Sequence, residues 1–245
     1  MQPTTSMGTR PRSPPLAFLS NAYTPRHHSS LVSLQYQLSS NLEVLTVQGV
    51  PVDTIECVLD LYGFEEEPSI SIYNVHKMAT STIRQDLDPL SSRQSLIIDA
   101  IWRTLVGNSS GENIVPCPGD YQEMYEHLVR QGSSTPRCSN RDTVQKEVVT
   151  LPFIHAMALA VRLRKNGPHR RFFKTCRGLF GLGTPDCGTG DTVAIFYGYS
   201  MPVILRPLQN EHKFIESAYV HSIMNEEAVD KCEREEIPSV DFVLR

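Results

Sequence analysis

Cysteine, histidine and acidic side chains are the groups in this chain that could do chemistry, and their spacing decides what kind. Six cysteines (Cys57, Cys117, Cys138, Cys176, Cys187 and Cys232) are scattered without a CxxC pair or a histidine at metal-binding distance. That pattern points to free thiols in a reducing compartment rather than to a metal site or a disulfide framework. Cys176 with His169 or His155 is the nearest approach to a thiol–imidazole pair, by sequence proximity alone. No GxSxG elbow is present. His155 falls on an expected helix and His221 on an expected strand, where each reads as a packed histidine.

The glycine-rich run from Gly178 to Gly190 invites a phosphate-binding reading. It lacks the third glycine of a dinucleotide fingerprint, a Gly-Lys-Ser/Thr ending, and a following helix whose N-terminus would hold a phosphate. Turns explain it better. No catalytic, cofactor-binding or metal-binding residue is therefore assigned, no cofactor is expected, and the sequence leans away from an enzyme.

Basic residues cluster at Arg162, Arg164 and Lys165 and again from His169 to Lys174, with Phe172 and Phe173 interleaved. Aromatics among cations can stack nucleic-acid bases. The cluster over residues 162–174 is small and the net charge is −4, so nucleic acid is not the expected partner. Hydrophobic content of 40% and charged content of 20% suit a soluble globular protein. No apolar run reaches the ~20 residues that span a bilayer, which leaves a soluble, cytoplasmic protein as the expectation.

The elements that position these residues change character along the chain. Residues 1–30, rich in Pro, Ser, Thr and Arg, have little to bury and are expected to be disordered. Residues 31–168 read as a strand pair followed by helices. A strand over 42–47 leads to a turn at Gly49. Val50–Val52 follows, and then a short helix over 54–59 capped by Asp53 with Glu56 three positions on. Residues 63–75 read as an acidic loop. Helices are expected from Ser91 or Ser92 to about Val106, over 120–131 and over 151–165, with Trp102 beside the first apolar stripe. Residues 132–143 read as a polar loop.

Residues 169–225 form the β-rich part. Runs at 172–175, 179–182, 192–197, 203–205 and 214–220 are separated by glycines and Pro202. Short strands in series favour a closed sheet, since closure removes edges. The fold class is α+β: a helical segment plus a small antiparallel β-barrel or strongly curved sheet. Residues 226–245 are a charged tail, helical over 226–236. Residues 31–245 are taken together as one compact unit. Arg206 should pair with Glu216 or Glu226.

Several stretches carry a resemblance: 45–55 (LTVQGVPVDTI), 102–105 (WRTL), 170–175 (RRFFKT), 178–183 (GLFGLG), 190–193 (GDTV), 202–207 (PVILRP) and 218–226 (AYVHSIMNE). In this order the chain resembles the region that follows the HET domain in fungal heterokaryon-incompatibility proteins. The motifs of the HET domain itself, the part that triggers cell death in that family, do not occur in these residues. The resemblance therefore implies a relative of the accessory C-terminal part, or a truncated HET protein, and carries no catalytic residue.

It further implies a non-catalytic protein-interaction or regulatory module. Its partner would be a protein, such as a full-length HET-family relative, and its setting self/non-self recognition or a secondary-metabolite gene cluster. The rival reading is an enzyme or small-ligand binder with a pocket at the barrel mouth, formed from His155, His221, Cys176 or Asp191.

Overall fold

A computed structural model describes residues 36–39, 44–81, 92–110, 112, 114–133, 142–161, 169–224 and 237–245. Among the described residues, nine strands and four helices follow one another in groups. Strands β1 (Tyr36–Leu38) and β2 (Leu45–Asp60) come first. Helices α1 (Pro68–Thr80), α2 (Ser92–Leu105), α3 (Asp120–Ser133) and α4 (Asp142–Val161) follow. The remaining strands are β3 (Arg171–Thr175), β4 (Phe180–Gly183), β5 (Thr192–Phe196), β6 (Val203–Pro207), β7 (His212–Ser217), β8 (Tyr219–Val220) and β9 (Val240–Leu244).

β2 is the axis of the sheet. Its 16 residues are rich in Val, Thr and Ile, side chains that suit a pleated, half-buried surface. The expected turn at Gly49 and helix over 54–59 are thus both replaced by one continuous strand. Cross-strand pairing on both edges outweighs the local capping signal at Asp53, whose Oδ1 instead accepts the Thr54 N–H at 2.8 Å. Register shifts at Pro51/Asp53 and Ile55/Cys57 bend the strand and accommodate Pro51.

These bends let β2 serve two sheets. Its first part pairs with β1, β5 and β9, and its last part with β3. Pairings run from β2 to β5, then β6, β7, β9 and back to β2, so hydrogen bonds close a ring of five strands. The sheet is mixed rather than purely antiparallel, because β9 meets β7 in parallel at His212↔Leu244. β3, β4 and β8 extend the sheet beyond the ring.

Alternation along the strands divides the core. On β5, Val193 and Ile195 join Val50, Ile55, Phe173, Ile204 and Val220. Ala194 and Phe196 face the other way, with Val47, Val203, Leu205, Phe242 and Leu244. The second group comes from four of the five ring strands. His212 of β7 completes it edge-on to Phe242, centroids 5.3 Å apart, and Phe196 lies 5.5 Å from Phe242 on another side.

The helices pack on the far side of β3, β4 and β8. Trp102, Leu105, Tyr125, Phe153 and Met157 meet Phe172, Phe180, Leu182 and Tyr219 in one cluster. Each such side chain, fully buried, stabilises the fold by roughly 1.5–3 kcal/mol. α2 and α3 occupy the expected ranges, and α4 begins earlier than expected. α1 replaces most of the acidic loop expected over 63–75. Pro68 suits a first helical turn, and Ile72, Val75 and Ala79 form its buried face.

Four of the strands expected over 172–220 are present as such, and the fifth, expected over 214–220, is divided into β7, which pairs with β6, and β8, which pairs with β4. The expectations for residues 1–30 and for a helix over 226–236 lie outside the described residues.

Candidate functional site

Asp191 follows Gly190, whose φ of +89° turns the chain into β5. Asp191 is 2% exposed. Arg206 reaches it from β6, donating from Nε to Oδ1 at 2.8 Å and from Nη2 to Oδ2 at 2.9 Å. Nη2 also donates to the Asp186 carbonyl, and the Gly188 N–H donates to Asp191 Oδ2 at 2.8 Å. Arg206 was expected to meet Glu216 or Glu226; the β5–β6 ladder brings it over the 186–191 turn to Asp191, and Glu226 lies outside the described residues. On the same turn, Arg171 donates to the Cys187 carbonyl at 2.7 Å while its Nε holds Asp60. Asp191 is thus committed to a clamp on its own loop.

His221 lies elsewhere, at the joint between α2 and β8. Its Nδ1 is 3.2 Å from the Tyr219 hydroxyl, and burial lowers its pKa. Arg103 sits beside it, with Nε on Asp99 at 2.8 Å and Nη1 on Asn108 Oδ1 and the Cys117 carbonyl. The same guanidinium lies 4.3 Å over the Trp102 ring. The stretches 102–105 and 218–224 therefore meet in three dimensions. Burial pushes the Cys117 and Cys187 thiols up to about 12, which keeps both protonated at neutral pH.

Cys176 is exposed, on the turn after β3. Its N–H donates to Thr54 O, while the adjacent Ile55 N–H donates to Asp191 O. Cys176 and Asp191 thus flank β2 on opposite edges. Asp53 Oδ2 ties down the same turn by accepting the Arg177 N–H at 2.7 Å. His169 packs edge-on against Tyr62 and Phe64. His155, His221, Cys176 and Asp191 occupy four separate settings.

Phe172 and Phe173 are fully buried and cannot stack bases. Lys174 is 6% exposed with Nζ 3.0 Å from Glu56. Arg170 is 2% exposed, and burial draws its pKa down to about 10. Arg162, Arg164 and Lys165 lie outside the described residues. No group of three or more His, Cys, Asp or Glu among the described residues could hold a metal ion. No described helix is long and apolar enough to cross a membrane.

His155 does belong to a surface feature. With Leu151, Pro152, Ile154 and Ala158 of α4 it lines an open depression of about 590 Å³, closed on one side by Glu65. Leu151 is 54% exposed, and Glu65 is exposed as well, at the head of the exposed run Glu65, Glu66 and Glu67. The residues were legible as an amphipathic helix and an acidic run. Their meeting was not, since 86 positions separate Glu65 from Leu151.

A helical layer beside a mixed sheet with a closed ring defines an α+β protein, with the ring confined to the strands around β2, β5, β6, β7 and β9. Residues 137–240 match the Het-6 beta-barrel domain family, a fungal heterokaryon-incompatibility-associated family, and bear out the resemblance seen in the sequence. The matched residues include β3 to β8 and the Asp191–Arg206 clamp, whereas β2 precedes them. Neither a curated protein nor a solved structure matches the chain.

Proposed function

We propose that the chain is a non-catalytic, heterokaryon-incompatibility-type module that acts by binding a protein partner through the depression on α4. The observation that carries this reading is an apolar, open surface with half-exposed Leu151 at its rim, in a chain whose matched domain belongs to an incompatibility-associated family. Exposed apolar surface rimmed by charge is the usual mark of a contact site. The titratable groups that could do chemistry support it too. Asp191 and Arg171 hold a turn, Arg103 a helix–sheet joint, and the Cys117 and Cys187 thiols are buried and protonated. We read the five-strand ring as the barrel of the domain, with Phe196, Phe242, Leu205 and Leu244 filling it.

Affinity capture from a fungal lysate, with the tagged chain and a Leu151→Asp variant side by side, tests the reading. Leu151 contributes little to the core, so the variant should fold. A protein retained by the parent and lost by the variant is the expected result. Identical captures from both would overturn the assignment of the depression.

A further inference from the structure

Arg103, Arg171 and Arg206 each hold a carboxylate and a backbone carbonyl: Asp99 with Cys117, Asp60 with Cys187, and Asp191 with Asp186. Arg170 is the exception. It is 2% exposed, yet its Nε and Nη1 are buried with no hydrogen-bond partner among the described residues. The guanidinium stays charged at neutral pH: burial draws its pKa down only to about 10, with the charge of Glu216 acting against that loss. The backbone of Arg170 is tied on two sides. Its N–H donates to Val161 O at 2.8 Å, at the end of α4, and its carbonyl accepts the Leu61 N–H at 3.3 Å, just past β2.

Thr184 stands across from it. The β3–β4 register pairs Arg171 with Gly183, which sets Arg170 opposite Thr184 one residue beyond the ladder. Both lie two residues on from Phe172 and Leu182, a facing pair in the helical cluster, and so share that side of the sheet. Thr184 is 4% exposed, and its Oγ1 is likewise buried and unpartnered among the described residues. Two facing residues thus present buried donors that call for an acceptor, and a buried cation calls for an opposite charge.

We propose that Arg170 and Thr184 form a binding site for a small oxyanion of the phosphate or carboxylate class. Two oxygens of the anion lie along one edge of the guanidinium, Nε with Nη2 or Nη1 with Nη2, and the Thr184 hydroxyl donates to one of its oxygens. The site shares no residue with the depression on α4. An anion that binds only the folded chain stabilises it.

Thermal unfolding of the full chain, titrated with sodium phosphate or sodium acetate at constant ionic strength, tests the assignment. The midpoint should rise by about 3 °C and then level off. Which anion saturates, the tetrahedral or the planar one, names the class. Phosphate also stabilises proteins by exclusion from their surface, an effect that Arg170→Met retains while losing the fork. The saturable rise should vanish in Arg170→Met and need severalfold more anion in Thr184→Val. Arg170→Lys, which keeps the charge without the fork, should respond more weakly than the parent and carries the comparison if Arg170→Met does not fold. No saturable rise in the parent with either anion overturns the proposal, as does the same rise in the parent and every folded variant. Lysate capture concerns other residues, so the two readings fail separately.

Discussion

Arg206 grips Asp191 in a two-pronged pair, Nε on Oδ1 at 2.8 Å and Nη2 on Oδ2 at 2.9 Å, at the open end of the β5–β6 hairpin. The two ends of the pair differ: the Asp191 side chain is 3% exposed and that of Arg206 41%. Removing the arginine leaves a buried carboxylate with only the Gly188 N–H as a described donor. Removing the aspartate leaves a guanidinium that water can reach. Arg206→Ala is therefore expected to cost about 2–3 kcal/mol, below the full penalty for a wholly buried pair. Arg206→Lys should cost about 1 kcal/mol, since a point charge cannot serve Asp191 and the Asp186 carbonyl together. Urea unfolding of both variants checks the order, and a costlier Lys variant would contradict it.

Gly49 sits where the ring closes, opposed by Phe196 on β5 and by Val240 on β9. A Cβ at this position would collide with the Ile195 carbonyl and press on the Phe196 ring. Neither neighbour yields cheaply, one being backbone and the other packed against Phe242. Gly49→Ala is expected to destabilise by about 3 kcal/mol, at the upper end for overpacking. Gly63 is the contrast: its φ is +74° but nothing lies within 4 Å of an added Cβ. Gly63→Ala should cost only about 1 kcal/mol of backbone strain. Thermal unfolding of the two variants tests whether steric closure or backbone handedness dominates.

How much of this was legible follows from the range of the interactions involved. The strands over 172–220 and the stripes of α2 and α3 are local patterns, and the sequence reading locates them. β2 misled it because Asp53 and Glu56 imitate a capping box, a local signal that pairing with β3, β5 and β9 overrides. α1 misled it because Glu65, Glu66, Glu67 and Pro68 look like loop, although Pro68 is a favourable helix start. β9 carries Phe242 and Leu244 into the ring, and five residues at the end of a charged stretch gave no hint of it. Asp191 was singled out for possible chemistry. Only the ladder that carries Arg206 to it reveals its role.

Two histidines make stability depend on pH. His76 and His221 both have pKa values lowered from 6.5, in each case chiefly by burial. Their neutral forms are held by the tyrosine hydroxyls of Tyr125, at 2.8 Å, and Tyr219, at 3.2 Å. A lowered folded-state pKa means that the unfolded chain binds more protons just below pH 6.5. Stability from these groups is therefore full above that pH and falls as pH drops from it towards their folded-state values. Urea midpoints measured from pH 7.5 to 5 should decline, and His76→Gln with His221→Gln should flatten that decline. A double variant with an unchanged slope would show that other groups carry it.

Thiol chemistry separates exposure from reactivity among the described cysteines. Cys117 and Cys187 are buried, with pKa values pushed up to about 12, first by loss of hydration and then modulated by nearby arginines and acids. Cys57 is half-buried and its pKa is also raised, by burial and by Glu56, with Lys174 acting in the opposite direction. Cys176 alone of the four is exposed. Since the thiolate is the reacting species and must also be reached, iodoacetamide at pH 8 should label Cys176 first and Cys57 next. Cys187 should stay protected even when the helical layer loosens, because its sulfur packs against Gly183 inside the sheet and its carbonyl is held by Arg171. Cys117 hangs on the α2 joint through Arg103. Under partial denaturation, mass spectrometry of labelled peptides should therefore find Cys117 modified before Cys187. The reverse order would mean that the ring of strands opens before the joint between Arg103 and the 108–117 loop gives way.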